Sequence, residues 1–515
     1  MNDFIKRHEG RILGVLSGFD RVLFRGTLRT LSYPEGLLKF LNSKDILLKD
    51  FARFAEQCTA QLIAHSRRIA DEAGRPYMYL KSPSVRKEDL ARQIAERDRV
   101  ERGLVCVLYA VEPCESFSLR PNGETKRVEL VRRRRKCSFF YFYFADREFG
   151  LMHVRLQSWI PFDVQVCLNG RLYLAVQLRR EGIRFEQYDN GFTSIGDLPR
   201  AQAILDRLAS RDWGKTLAVL GRRVNPLLGG LLSGVFDYYW TIRQSECATD
   251  VLFKDRRSLQ EIYPALCEHA IHNFHSEDVM RFLGGQVPKR LPRDIVSDLN
   301  KRPEGVRLRH RVGENAIKMY DKGGCILRIE TTINNPCSFR VLRESRREGG
   351  PALAWQVMRK GICDTKRRVE VSLAANARYL GALSVVGERT PSHRILDGVT
   401  APVRKQGQTY RGLRPICPAE ARLFNSLMPG AHFLHGFNNR QIRAHLFPSP
   451  VSDPQEERRR SGFVSRRLRL LRAHGLIQKV GRQRLYRVTR KGHTLITTAL
   501  TFRRTDIALL NRNVA

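Results

Sequence analysis

One stretch near the C-terminus leaves little freedom in how it can fold. Ser461-Gly-Phe-Val-Ser-Arg-Arg-Leu-Arg-Leu-Leu-Arg-Ala-His474 is followed by Gly475 and then by Leu476-Ile-Gln-Lys-Val480. Val464, Leu468 and Leu471 recur at i, i+4 and i+7, which makes one apolar stripe of a helix. Ser465, Arg466, Arg469 and Arg472 then share the opposite, solvent-facing side. Ser461 reads as the N-cap and Gly475 as the C′ stop. Residues 476–480 and 485–488 read as two short apolar strands. The turn 481–484 between them is basic and carries Arg482 and Arg484. A basic helix followed by a basic hairpin is the arrangement of a winged helix-turn-helix. Its helix enters a major groove and its wing touches the flanking phosphates. The expected DNA contacts are Ser465, Arg466, Arg469, Arg472, Arg482 and Arg484.

The flanking residues agree. Residues 418–428 read as a first helix and 438–447 as a second, with Ile442 and Leu446 inward. Residues 448–460 are polar and charged and read as a long insertion before the recognition helix. Thr489 can cap a final helix running to about residue 502. Residues 416–515 hold 19 Lys and Arg against 5 Asp and Glu, a net of +14, which is a nucleic-acid footprint.

The whole chain is also basic, with a formal net charge of +39 over 515 residues. Such a field favours a polyanion and salt-sensitive association. Its 42% hydrophobic content is that of a folded protein rather than a disordered polycation. No apolar run reaches the roughly 18–20 residues of a spanning helix, so no membrane partner is expected. The N-terminal residues have no secretory apolar region. Eleven cysteines are scattered without a Cys-x-x-Cys pair. That pattern suits a reducing cytoplasm and argues against a disulfide framework or a structural zinc site.

The expected fold class is α+β, a mixed α/β body with antiparallel hairpins plus the C-terminal winged helix. The expected division is an α/β domain at 1–211, a helical region with a β-hairpin at 212–400, a linker at 401–417 and the winged helix at 418–515. In the first domain, 12–16 and 21–26 are short apolar runs around Phe19-Asp20, and 37–73 is largely helical. Residues 103–111 read as a buried strand. Ser138-Phe-Phe-Tyr-Phe-Tyr-Phe144 and 150–156 read as a hairpin, with 172–181 as a helix packed on it. The basic run 132–136 leads into that hairpin and suits either a solvated strand start or a phosphate contact. The second region reads as helices through Leu283, then a hairpin of 316–321 and 325–333.

In so basic a chain, acidic residues in apolar settings are the candidate catalytic groups. Two-metal nucleases and strand transferases need carboxylates converging on divalent ions about 3.5–4 Å apart. Magnesium or manganese is the expected ion if the chain is an enzyme. Asp20 lies between apolar runs and suits a sheet-edge ligand, or a turn residue paired to Arg21 or Arg25. Glu246 and Asp250 would be neighbours at i and i+4 of a helix, offset by a metal or by Arg243 and Lys254. Gly323-Gly324 suits a two-residue turn. It places Asp321 opposite Ile326 and Glu330 opposite Ile317, with Arg328 between the carboxylates on one face. Tyr320 then lies on the other face with Lys318 and Lys322, as a candidate nucleophile or a packing residue. Asp20, Glu246, Asp250 and Glu330 are thus the candidate catalytic and metal-ligating set. There is no Walker A motif, no G-x-G-x-x-G after a strand, no H-E-x-x-H and no G-x-S-x-G. No nucleotide cofactor is expected.

Phe19-Asp-Arg-Val-Leu-Phe-Arg-Gly-Thr-Leu28, Tyr141-Phe-Tyr-Phe, Glu246-Cys-Ala-Thr-Asp-Val-Leu-Phe253, Ile317-Lys-Met-Tyr-Asp-Lys322 and Arg328-Ile-Glu-Thr-Thr332 together resemble an uncharacterised, multicopy bacterial family similar to mobile-element proteins. The Tyr-Asp-Lys and Arg-Ile-Glu hairpin is similar to one in rolling-circle replication initiators, where the acidic residue sits near a metal-dependent tyrosine nicking site. The catalytic tyrosine segment of those initiators has no match here. The C-terminal region resembles MarR-type winged helices in its recognition helix and wing. With the winged helix and the basic body, these resemblances lead to a DNA-binding protein of a mobile element, transposase-like or replication-initiator-like; metal-dependent cutting or transfer of a strand is the further expectation, and it rests on the candidate carboxylates rather than on the resemblances. Two alternatives stand beside it. One is a non-enzymatic winged-helix transcriptional regulator. The other is an RNA-binding protein or RNA-dependent effector, whose Phe139–Phe144 rings could stack bases. A homodimer is a further expectation, since winged helices commonly pair.

Overall fold

The computed structural model describes residues 1–82, 84–124, 126–234, 237–274, 276–284, 295–302, 305–347, 350–386, 392–405, 407–428, 432, 436–449, 453–480 and 485–505. The chain is an α+β protein with mixed sheet. Contacts group it into two interleaved units. The first comprises Met1–Gly14, Thr249–Thr331 and Val371–Ala515, and the second Val15–Ala248 and Thr332–Glu370. Among the described residues no helix is long and apolar enough to cross a membrane. The cysteines are free thiols, and most are buried.

The second unit is built on β1 (Ile12–Thr27), β2 (Tyr77–Tyr79), β3 (Gly103–Asn122), β4 (Arg127–Asp146), β5 (Gly150–Gln157) and β6 (Val164–Asn169). A small separate ribbon is formed by β7 (Phe185–Tyr188) and β8 (Gly191–Ile195), and β9 is Tyr239–Phe253. The strand order is β9-β1-β6-β5-β4-β3-β2. The β2–β3 pairing is parallel, and β1–β6, β6–β5, β5–β4 and β4–β3 are antiparallel. The expected hairpin of 138–156 is present as β4 and β5. Phe139 to Phe144 are all buried, so the rings of both faces are core. Alternation sends successive rings to opposite faces, and both faces here are covered.

The two apolar runs around Asp20 are one continuous strand, β1, rather than two. The Gly170–Arg180 helix sits on this strand. Asn169 caps it, accepting from Arg171 N and Leu172 N. Gly170 lies so close that a Cβ there would stand 2.2 Å from the Phe19 carbonyl oxygen. Arg171, fully buried, donates to the Ala248 carbonyl at 3.1 Å.

The first unit holds β10 (Ile295–Arg302), β11 (Gly305–Val312), β12 (Asn315–Lys322) and β13 (Ile326–Ile333), in the order β10-β11-β12-β13-β9. One face is covered by the Thr365–Leu383 helix. Asn376 bridges Thr331 Oγ1 (2.7 Å) and Thr249 Oγ1 (3.3 Å), and Tyr379 OH meets His310 Nε2 at 3.1 Å. Toward the C-terminus of this unit lie helices Pro418–Leu427, Asn439–Leu446, Pro454–Ala473 and Arg490–Arg504, with strands Ile477–Lys479 and Tyr486–Val488. They share one core, in which Phe424, Ile442, Val464, Leu468, Leu471, Leu476 and Ile496 are buried together.

Candidate functional site

The basic C-terminal helix is longer than its apolar stripe announces. It runs Pro454–Ala473, and Asp453, not Ser461, is its N-cap, accepting from Gln455 N and Glu456 N. The expected insertion is therefore largely the first two turns of this helix. Proline at N1 and glutamates in the first turn suit a helix start. Glu456 also pairs with Arg459 (2.5 Å) and Arg460 (2.8 Å). Ser461 lies mid-helix and donates its hydroxyl to Asn439 Oδ1 at 3.3 Å. The stop is as expected. Gly475 has φ +73°, and Leu476 N returns to the Leu471 carbonyl at 2.9 Å.

The stripe falls as expected, and the basic face does so at Ser465, Arg466 and Arg469. Val464, Leu468 and Leu471 are buried, Ser465, Arg466 and Arg469 are exposed, and Arg472 is half-buried. Arg459, Arg460 and Arg467 have glutamate partners. Arg466, Arg469 and Arg472 are in no ion pair among the described residues. Ser465 Oγ accepts from Asn439 Nδ2 at 2.8 Å, which ties this helix to the start of the Asn439–Leu446 helix. That shorter helix opens on a capping box of Asn438 and Gln441.

The ribbon after the helix pairs Ile477 with Val488 and Lys479 with Tyr486. Its tip, including Arg482 and Arg484, lies outside the described residues. Sequence reading missed a third strand segment. Phe437 N donates to the Tyr486 carbonyl (2.9 Å), and Tyr486 N donates to the Phe437 carbonyl (2.8 Å). A single residue between two helices has no periodicity to reveal it. Thr489 caps the last helix, accepting from Gly492 N and donating to the Gly475 carbonyl at 2.6 Å.

The candidate carboxylates behave differently from the expectation. Asp20 is buried within β1 and accepts from Asn190 Nδ2 at 2.6 Å. Of the two arginines expected beside it, Arg21 donates to Cys167 Sγ at 3.3 Å and Arg25 pairs with Asp163. Glu246 and Asp250 are on strand β9, not on a helix. Tyr239, Trp240, Thr241, Ile242, Thr249, Val251 and Phe253 make that segment rich in β-branched and aromatic residues, which favour a strand. At strand rise the two carboxylates start roughly 13 Å apart instead of one helical turn. Asp250 has both oxygens engaged by Arg328, at 2.5 Å from Nε and 2.9 Å from Nη2. Both side chains are 0% exposed.

The β12–β13 hairpin also has a different register. Its turn spans Gly323, Gly324 and Cys325, with Gly324 N donating to Asp321 Oδ1. One added turn residue moves a strand's side chains to the other face. Tyr320 and Lys318 therefore share the face of Glu330, and Asp321 lies on the opposite face. Glu330 accepts from Lys318 Nζ at 2.5 Å and from Tyr320 OH at 2.8 Å. Burial pushes the Glu330 carboxyl upward in pKa, but the Lys318 charge, the Lys318 and Tyr320 hydrogen bonds and Arg328 outweigh it and hold it below the ordinary value. Tyr320 is itself buried.

Among the described residues, no three His, Cys, Asp or Glu side chains gather as a metal-ligand group. What a divalent ion would supply to Asp250 and Glu330, positive charge, is supplied by Arg328 and Lys318. The arrangement is suited to holding β9, β12 and β13 in register. Since Glu330 has a lowered folded pKa, its stabilisation is full above the ordinary glutamate value of about 4.3 and is lost as pH falls through the folded value. Urea midpoints are expected to fall on acidification, and to fall less in Glu330→Gln. Equal falls in both proteins would remove Glu330 from this role.

No family model matches the chain, and no curated protein or solved structure matches it.

Proposed function

We propose that the chain is a DNA-binding protein that docks through a C-terminal winged helix-turn-helix. In this reading Asn439–Leu446 is the positioning helix, Pro454–Ala473 the recognition helix, and the Ile477–Lys479 and Tyr486–Val488 strands the base of the wing. One observation carries it. A helix packed on one side into a core presents Arg466, Arg469 and Arg472 on the other, free of carboxylate partners among the described residues. Unpaired guanidiniums in a row are what phosphates and guanine edges need.

The carboxylate geometry favours a site-binding protein over a strand-cutting one. A transposase-like or replication-initiator-like role in a mobile element would then rest on DNA recognition. Cutting with magnesium or manganese would require Asp250 and Glu330 to exchange Arg328 and Lys318 for the ion. Selection from a random duplex pool is expected to enrich a defined motif. Arg469→Gln is expected to weaken binding and lower the slope of log affinity against log salt by about 1. Recovery of no motif, together with an unchanged slope, would contradict the assignment. Metal-dependent nicking lost in Glu330→Ala, with binding intact, would restore the enzyme reading.

A further inference from the structure

The basic run at 132–136 lies inside β4 rather than at a strand start, and it lies on an edge. The β4–β5 ladder begins only at Phe139, and beside it Ser158 N donates to the Ser138 carbonyl at 3.0 Å. Upstream of that point β4 is paired with β3 alone among the described residues, from Phe117 opposite Arg132 to Pro113 opposite Lys136. All five cations of the run are exposed. Alternation sends Arg132, Arg134 and Lys136 to one face of the ribbon and Arg133 and Arg135 to the other, so the edge is cationic on both sides.

Little in the protein answers this charge. Arg133 and Lys136 are in no ion pair among the described residues. Neither is Arg132, which donates to the Ser32 carbonyl at 2.9 Å. Arg134 reaches Glu115 at 3.3 Å, but both side chains are largely exposed, and such a pair is weak and screened by salt. Arg135 lies 3.8 Å over the Trp159 ring. Stacking uses the face of a guanidinium and leaves the donors in its plane. A charged side chain or two keeps an edge strand from pairing with another chain. Five consecutive cations, one of them with a carboxylate beside it, exceed that need and make a field of one sign.

We infer that this edge of β4 is a second DNA-contacting surface, a track that grips the phosphates of duplex DNA without reading sequence. It rests on the DNA-binding reading above for the choice of DNA over RNA. Charge complementarity selects the duplex. Residues 132–136 span roughly 13 Å at strand rise. Over that length duplex DNA presents about eight negative charges. Guanidinium forks match phosphate oxygens. An edge strand adds unpaired backbone N–H groups, which are phosphate donors as well. Single-strand binders stack bases on aromatic rings. Phe117 is the one aromatic residue between 111 and 138, and it is buried.

Fluorescence anisotropy of the full chain on labelled duplexes of unrelated sequence, across a salt series, tests the track. In the triple variant Arg132→Gln, Arg133→Gln, Lys136→Gln the slope of log affinity against log salt is expected to be smaller by about 3, with affinity lost equally on every duplex. Should loss of the Arg132 bond to Ser32 disturb the fold, the double variant Arg133→Gln, Lys136→Gln keeps the test open, with an expected change of about 2. Arg102→Gln, Lys215→Gln removes two exposed cations elsewhere in the same unit and is expected to leave the slope unchanged. An unchanged slope in both track variants, or an equal fall in the control, would overturn the assignment. So would a change seen with single-stranded DNA or with RNA but not with duplex DNA. The two DNA surfaces fail separately. If the C-terminal helix is not a reader, the track variants still lower the slope while Arg466→Gln, Arg469→Gln, Arg472→Gln does not.

Discussion

Asp250→Ala is expected to lower the unfolding free energy of the chain by about 3–5 kcal/mol, because it strips a buried guanidinium of the carboxylate that engages two of its nitrogens. The pair is wholly enclosed, and Arg328 reaches Asp250 with two nitrogens. Removing one member discards the mutual attraction but leaves the desolvation of the other. A buried ion pair is not in itself a large net stabiliser, since well-packed apolar residues can replace it at little cost. The double variant Asp250→Leu, Arg328→Met is therefore expected to recover most of the loss. Urea unfolding followed by circular dichroism checks both. A single variant within about 1 kcal/mol of wild type would show that water reaches the pair.

Gly492→Ala is expected to destabilise the C-terminal region by about 1–3 kcal/mol through overpacking. A Cβ at Gly492 would sit 2.0 Å from the Leu476 carbonyl oxygen and 2.8 Å from its carbon. Backbone atoms cannot swing aside, so the Arg490–Arg504 helix must lift from Leu476. Leu495 and Ile496, one turn on, would leave the core they share with Leu468 and Leu471. Lys491→Ala, exposed and next in sequence, is the control and is expected to leave the thermal midpoint unchanged. An unaltered midpoint in Gly492→Ala would show that this helix is not seated on Leu476.

What was legible in the chain follows from the range of the signal. The stripe of Val464, Leu468 and Leu471, the Gly475 stop and the Thr489 cap are local patterns, and each lies where local physics puts it. The start of that helix was misplaced because Asp453-Pro454 sits among charged residues that resemble a loop. Ser461, closer to the stripe, is the more obvious cap. Glu246 and Asp250 suggested a helix through their spacing of four, yet the surrounding aromatic and β-branched residues settle the segment as a strand. At the β12–β13 turn, Gly-Gly is a good two-residue signal, and nothing local announces that Cys325 joins it. That single residue decides whether Tyr320 meets Glu330.

The long-range partners were out of reach. Arg328 lies 78 positions from Asp250, and Asn190 lies 170 from Asp20. The interleaving of 1–14 with 249–331 and 371–515 likewise has no signature in composition or periodicity.

The central claim is that the Pro454–Ala473 helix is the DNA-reading element. Fluorescence anisotropy with a labelled duplex, run across a salt series, tests it most directly. The full chain is compared with the triple variant Arg466→Gln, Arg469→Gln, Arg472→Gln. The expected result is tight, salt-sensitive binding by the wild type, with the slope of log affinity against log salt smaller by about 3 in the triple variant. Equal affinity and equal slope in the two proteins, both folded, would contradict the account and send the DNA to another surface.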